Sequence, residues 1–243
     1  MTVWRAPPRA DGGRSARAVR WACVAGVLGG LLSLAAPFVP WWYVTTNTGT
    51  PSTAEFYPLG GIYASGGGGG GFTSFAAEGL GPIGTLYVAV AAVALGVAFL
   101  AFTVAGLGLA RSSGRGVSAR AALVARAGLA VALVAGVAAV VAVPLVQPSL
   151  FANANPRGTC SIPSSAGSCS SFWGTYHGTG VSTVWGAGAG WWSELLAAAL
   201  LGGAWVGGIA TAVRGSPGRP SGAPAARELR ATDAHGSEGL KGR

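Results

Sequence analysis

Apolar positions in this chain gather into four long runs, 21–39, 83–110, 127–146 and 195–213, instead of recurring at the spacing of an amphipathic helix or a half-buried strand. A helix needs about 20 mostly apolar residues to cross a hydrocarbon core roughly 30 Å thick. Lipid satisfies no exposed backbone donor or acceptor, so each run must close its hydrogen bonds internally. The pattern predicts an all-α membrane protein: a four-transmembrane-helix bundle over 21–213, flanked by polar segments 1–20 and 214–243. Pro144 is expected to loosen the outer end of the third helix.

Between the runs lie two long loops, 40–82 and 147–190, which hold most of the aromatic residues. Trp41 through Thr46, Phe56-Tyr57, Ile62-Tyr63, Phe172-Trp173 and Val181 through Trp185 are strand-prone. They predict a small β-rich extracytoplasmic cap formed by both loops. The glycine tract 66–71 lacks the Lys-Ser/Thr that completes a phosphate loop and is expected to be a flexible tether.

Charge supplies the orientation. All of the 16 basic residues except Arg157 fall before the first run, between the second and third, or after the fourth. Cytoplasmic loops carry such an excess, so both termini and the middle loop are expected in the cytoplasm. A signal peptide cleaved after Ala35 is the rival reading of the first run. Trp41 and Trp42 follow the first run and Trp191 and Trp192 precede the fourth, where amphipathic rings act as interfacial anchors.

Composition agrees with a bilayer environment. The chain is 51% hydrophobic and only 9% charged, whereas soluble domains average about one-quarter charged. A net charge of +9 would suit a nucleic-acid ligand, but the cations flank apolar runs and form no continuous stripe, which excludes that class. Segments 1–20 and 214–243 are rich in Gly, Pro, Ser and Arg, a composition that predicts disorder.

Chemistry-bearing residues are sparse. No ionisable residue falls in the central part of any run, and neither a metal centre nor a cofactor is expected. Cys160 and Cys169, separated by eight residues in the second outer loop, are expected to form a structural disulfide worth roughly 2–3 kcal/mol. Cys23 reads as packing. His177, Glu55 and Glu78 read as loop groups, and Glu194 as a charge favoured by a helix N-terminus. No catalytic residue is assigned.

The sequence Phe38-Val39-Pro40-Trp41-Trp42 at the end of the first run resembles a Phe/Leu-x-Pro-Trp-Trp pattern of uncharacterised prokaryotic four-span membrane proteins. The arrangement of runs and loops is also similar to claudin-like and occludin-like junction proteins, although claudins place Trp and paired cysteines in the first loop, whereas Cys160 and Cys169 are in the second. A four-span quinone-linked disulfide oxidase would have the same outline but with a Cys-x-x-Cys. These likenesses imply architecture and carry no functional residue.

The resulting expectation is a multi-pass cell-membrane protein, non-enzymatic, acting as a scaffold, accessory subunit or interaction protein through its cap. Its surroundings are the lipid bilayer and its partner another membrane or extracytoplasmic protein. Phe72, Phe75, Phe172, Trp173 and Tyr176 form the candidate partner-binding set. Two alternatives are a thiol-disulfide oxidoreductase using Cys160 and Cys169 and a transporter of a hydrophobic substrate.

Overall fold

A computed structural model describes residues 12–67, 69–112, 118–154 and 171–214. Among the described residues there are four α-helices: α1 Gly12–Ala35, α2 Gly81–Ser112, α3 Ala119–Ala154 and α4 Ala189–Arg214. Pro37 cannot continue α1, which passes into a 3-10 turn at Ala36–Phe38. In α3, Pro144 and Pro148 are accommodated without ending the helix. Val143, Gln147 and Phe151 recur four apart along that stretch and are all buried, so packing holds it together where two backbone donors are missing.

Neighbouring helices run antiparallel. Gly30 of α1 meets Phe102 and Ala101 of α2, and Gly29 meets Leu201 and Ala197 of α4. Gly128 of α3 meets Leu100 of α2, while Gly136 approaches both Val97 and Glu194. These glycines let backbones come close where lipid provides no hydrophobic drive for association. Outward positions remain apolar, among them Leu31, Val88, Phe99, Val134, Leu145 and Leu196. A helix that is hydrophobic on every side belongs in lipid or in a large core.

Above the helices lies one antiparallel sheet in the order β4-β3-β2-β1-β6-β5. Strands β1 Trp42–Asn47, β2 Pro51–Tyr57, β3 Gly61–Gly66 and β4 Gly69–Thr73 form a meander from the first interhelical segment. A hairpin of β5 Gly174–Gly178 and β6 Val181–Ala187 comes from the second. The two units join where β1 pairs with β6, with Trp42 opposite Ala187 and Val44 opposite Trp185.

The expected all-α four-transmembrane-helix bundle is therefore corrected in two respects. The six-stranded sheet makes the chain mixed α/β. Among the described residues, three helices are long and apolar enough to cross a membrane: Arg17–Phe38, Gly81–Ala110 and Leu123–Phe151. This is a membrane protein with three such helices. The fourth helix, α4, carries the run 195–213 but is not among these three. The glycine tract also differs from expectation, since Gly69, Gly70 and Gly71 lie in edge strand β4. Segments 1–11 and 215–243 lie outside the described residues.

Glycine is required where α4 begins. A Cβ on Gly190 would fall into the ring of Trp41, whereas one on Gly203 would meet open space. Gly190→Ala should lower stability by about 1–3 kcal/mol through overpacking. Gly203→Ala should leave it unchanged or raise it by up to about 1 kcal/mol. Thermal melting of the two detergent-purified variants checks the contrast, and equal melting points would contradict the close approach.

Candidate functional site

Side chains alternate across a strand, so the sheet has one face toward the helices and one away from them. Trp42, Val44, Phe56, Ile62 and Trp185 occupy the inner face and pack with Phe75, Tyr87, Val143, Phe151 and Phe172 in a single core. Trp42 lies 4.9 Å from Phe56 and 5.0 Å from Phe151, ring centre to ring centre. Three of the four expected interfacial anchors belong to this core. Trp41 and Trp42 have no exposed surface, and Trp191 is also buried. Their indole nitrogens donate to the carbonyls of Ala36 (2.9 Å), Phe172 (2.8 Å) and Val140 (2.9 Å) respectively. They join sheet to helices; Trp192 alone is half-exposed.

The candidate partner-binding set divides in the same way. Phe75 and Phe172 are buried, contrary to the expectation of open cap residues, because each fills the space between the sheet and the helix ends. Tyr176 is half-buried against the same core. Phe72 and Trp173 are open, at 63% and 49% exposure.

Those two exposed rings lie toward opposite ends of a row that the sheet register builds on the outer face. Phe72 is opposite Tyr63, Tyr63 opposite Glu55, Glu55 opposite Tyr43, and Tyr43 opposite Gly186. Gly186 lacks a side chain, and Trp173 approaches the space that a Cβ would take there. Tyr63 lies tilted at 5.0 Å from Phe72, which also meets Tyr57 edge-on at 5.5 Å. Gly70 leaves room for the Tyr63 ring: its Cβ would stand 2.5 Å from the phenol oxygen. The Tyr57 hydroxyl donates to Glu55 Oε2 at 2.7 Å. The outer face is thus an aromatic row with one carboxylate near its middle.

A second polar feature lies among the helices. Glu194 of α4 is fully buried, as is Ser33 of α1. Ser33 Oγ is 2.7 Å from Glu194 Oε2 and 2.9 Å from the Ala94 carbonyl of α2. Glu194 Oε1 has no partner. The expectation that Glu194 merely complements a helix dipole is corrected, because its carboxyl turns inward to the junction of the helices. Nearer the sheet, Tyr87 donates to Gln147 Oε1 at 2.9 Å, leaving Gln147 Nε2 without a partner. From the sequence, Ser33 looks like an incidental polar interruption of an apolar run and Gln147 like the start of the second loop. Signal for Glu194 was present, in an acid adjoining an apolar run.

Cys160 and Cys169 lie outside the described residues. Cys23 is free and buried, with Sγ against Gly108. His177 Nδ1 is within 3.1 Å of Ser182 Oγ on the exposed side of the β5–β6 hairpin. No group of three or more metal-ligating side chains occurs among the described residues. No family model matches this chain, and no curated protein is significantly similar to it.

Burial pushes the Tyr57 phenol up to about 12, aided by its hydrogen bond to Glu55 and by that carboxylate's charge. The folded state favours the neutral phenol, so this contribution is complete below the ordinary tyrosine value of about 10. It is lost as pH rises through 12. Alkaline ultraviolet titration should show a late tyrosinate step that Tyr57→Phe removes and Glu55→Gln moves downward. A step unmoved by Glu55→Gln would exclude the pairing.

Proposed function

We propose that this is a non-enzymatic membrane interaction protein that binds an extracytoplasmic protein segment on the outer face of its sheet. The observation that carries the reading is the outer-face row Phe72, Tyr63, Tyr43 and Trp173, exposed at its two ends and half-buried between them, which has Glu55 within it. Aromatic side chains contribute large contact area at low entropic cost and dominate binding hot spots. The inner face is already occupied by the core, so partner contact falls to the outer one.

Orientation follows from charge and antiparallel packing together. The sheet lies at the end of α1 and α3 and at the start of α2 and α4. The opposite helix ends carry Arg17, Arg20, Arg111, Arg120, Arg126 and Arg214. Arginine-rich ends of membrane helices favour the cytoplasmic side, which supports a reading with the sheet outside and these helix ends inside.

Two measurements test this reading. Cysteine at Ser52, exposed on β2, should react with an impermeant maleimide on intact cells, and cysteine at Ser118 should not. The reverse pattern overturns the orientation. For the binding face, the pairs Phe72→Ser with Tyr63→Ser and Trp173→Ser with Tyr43→Ser should each reduce partner crosslinking in native membranes at least tenfold, the loss of about 1.4 kcal/mol or more expected of hot-spot rings. Unchanged crosslinks in normally inserted variants would remove the outer face from the function.

A further inference from the structure

The Ser33 hydroxyl has one proton and lies within hydrogen-bond reach of two oxygens. The Ala94 carbonyl is 2.9 Å away and Glu194 Oε2 is 2.7 Å away. A carbonyl can only accept, and an ionised carboxylate can only accept. With Glu194 ionised, one of the two short contacts would bring oxygens together with no proton between them. A proton on Oε2 resolves both: the acid donates to Ser33 Oγ, and Ser33 donates to Ala94. Each donor then has one acceptor, and α4, α1 and α2 are joined by a directed chain.

The other carboxyl oxygen points the same way. Glu194 Oε1 is buried and without a partner, and a Cβ on Gly136 of α3 would come within 3.2 Å of it. A carbonyl oxygen tolerates such a site at modest cost, whereas an isolated buried carboxylate costs so much that the group keeps its proton. Among the described residues, no cation lies on the helix segments packed around it. Between Trp21 and Ala35 of α1 the only titratable side chain is Cys23, which packs on Gly108. Between Gly81 and Ala110 of α2 the only one is Tyr87, which is engaged with Gln147. From Ala127 to Ala154 α3 has none, and α4 has none besides Glu194 before Arg214.

We propose that Glu194 is a proton-binding site at the junction of the four helices, with Ser33 as the acceptor of its proton and Ala94 as the end of the chain. Proton loss to water alters the helix contacts in a defined way. The carboxylate draws the Ser33 proton from the Ala94 carbonyl to Oε2, so the α1–α2 hydrogen bond breaks as the α1–α4 one reverses direction. Occupancy of the site by a proton therefore governs whether Ser33 ties α1 to both α2 and α4 or to α4 alone. Ionisable groups within membrane helix clusters mark substrate or ion pathways, proton relays, voltage sensors or ligand counter-charges.

The test uses the full chain, purified in detergent and reconstituted into neutral phosphatidylcholine vesicles. Infrared difference spectra of protein labelled with carbon-13 glutamate should contain a protonated-carboxyl carbonyl band at pH 7 that Glu194→Gln removes. Ser33→Ala should move that band to higher frequency, as expected for an acid that has lost its acceptor. A hydrophobic carbodiimide, which reacts with protonated carboxyls in apolar surroundings, should modify Glu194 at pH 7 in the wild-type chain, read by peptide mass. The carbodiimide reading needs no variant, so a misfolded Glu194→Gln protein does not leave the matter open. A carboxylate band alone at pH 7, or a protonated band unmoved by Ser33→Ala, overturns the proposal.

Discussion

The indole of Trp41, enclosed between the end of α1 and the start of α4, ties the sheet to the helices. Its ring nitrogen donates to Ala36 at the turn that closes α1. Its backbone N–H donates to Phe56 of β2, and its carbonyl accepts from Gly188 just before α4. Gly190 donates to Pro40 and presses its Cα against the indole. One fully buried residue thereby fixes the last turn of one helix, the first turn of another and the first pairing of the sheet. A smaller side chain would leave a void and orphan a backbone carbonyl, costs that add in a close-packed core. The register of β1 follows from this anchorage, and through β1 the register of the whole outer row.

Much of the organisation was legible in the sequence because apolar runs report burial directly. α2 at Gly81–Ser112 lies close to the run 83–110, and α1 ends near Pro37 as proline chemistry requires. The strand-prone pieces Trp41 through Thr46, Phe56-Tyr57, Ile62-Tyr63 and Val181 through Trp185 overlap β1, β2, β3 and β6, whereas Phe172-Trp173 lies just before β5 and is not in a strand. α3 ran past its apparent end to Ala154, because Gln147 found a partner in Tyr87 and Phe151 joined the core. A polar residue reads as a helix end only until its partner is known. The edge strand β4 was hidden for the opposite reason: glycine has no strand preference, and pairing with β3 and the overlying Tyr63 ring supply what propensity does not.

Assignment of aromatics to surfaces could not be made from a single chain. Alternation separates Trp42 from Tyr43 and Phe56 from Tyr57, but it does not say which set is covered. The sheet settles it through β6, whose Trp185 must pack on the same side as Val44, its register partner. Phe72 and Phe75 are three residues apart and end on opposite sides of the protein surface, because β4 stops at Thr73 and the following turn drops Phe75 onto Tyr87 at 5.5 Å. Indoles beside an apolar run looked like anchors for the same reason. Their amphipathic character suits a membrane boundary and a sheet–helix joint equally well, and only the partner carbonyls distinguish the two.

The helix whose first turn packs beneath the sheet is also the one bearing the buried acid. The opening of α4 has to pack under the sheet, where Trp191 reaches Val140 of α3, and one turn further on Glu194 reaches Ser33 of α1. Polar groups used this way lower the apolarity of a segment while adding directed contacts that Leu or Ala could not make. Lipid offers no hydrophobic reward for helix association, so such contacts help select which faces meet. In α1 and α2 the selection is made by glycine and alanine shape, at Gly26 with Ala105 and Gly30 with Ala101. In α4 it is made by chemistry, through an acid whose hydrogen-bonding direction depends on a proton. The same contacts that orient α4 therefore also make its attachment to α1 sensitive to protonation, which no amount of shape complementarity alone could do.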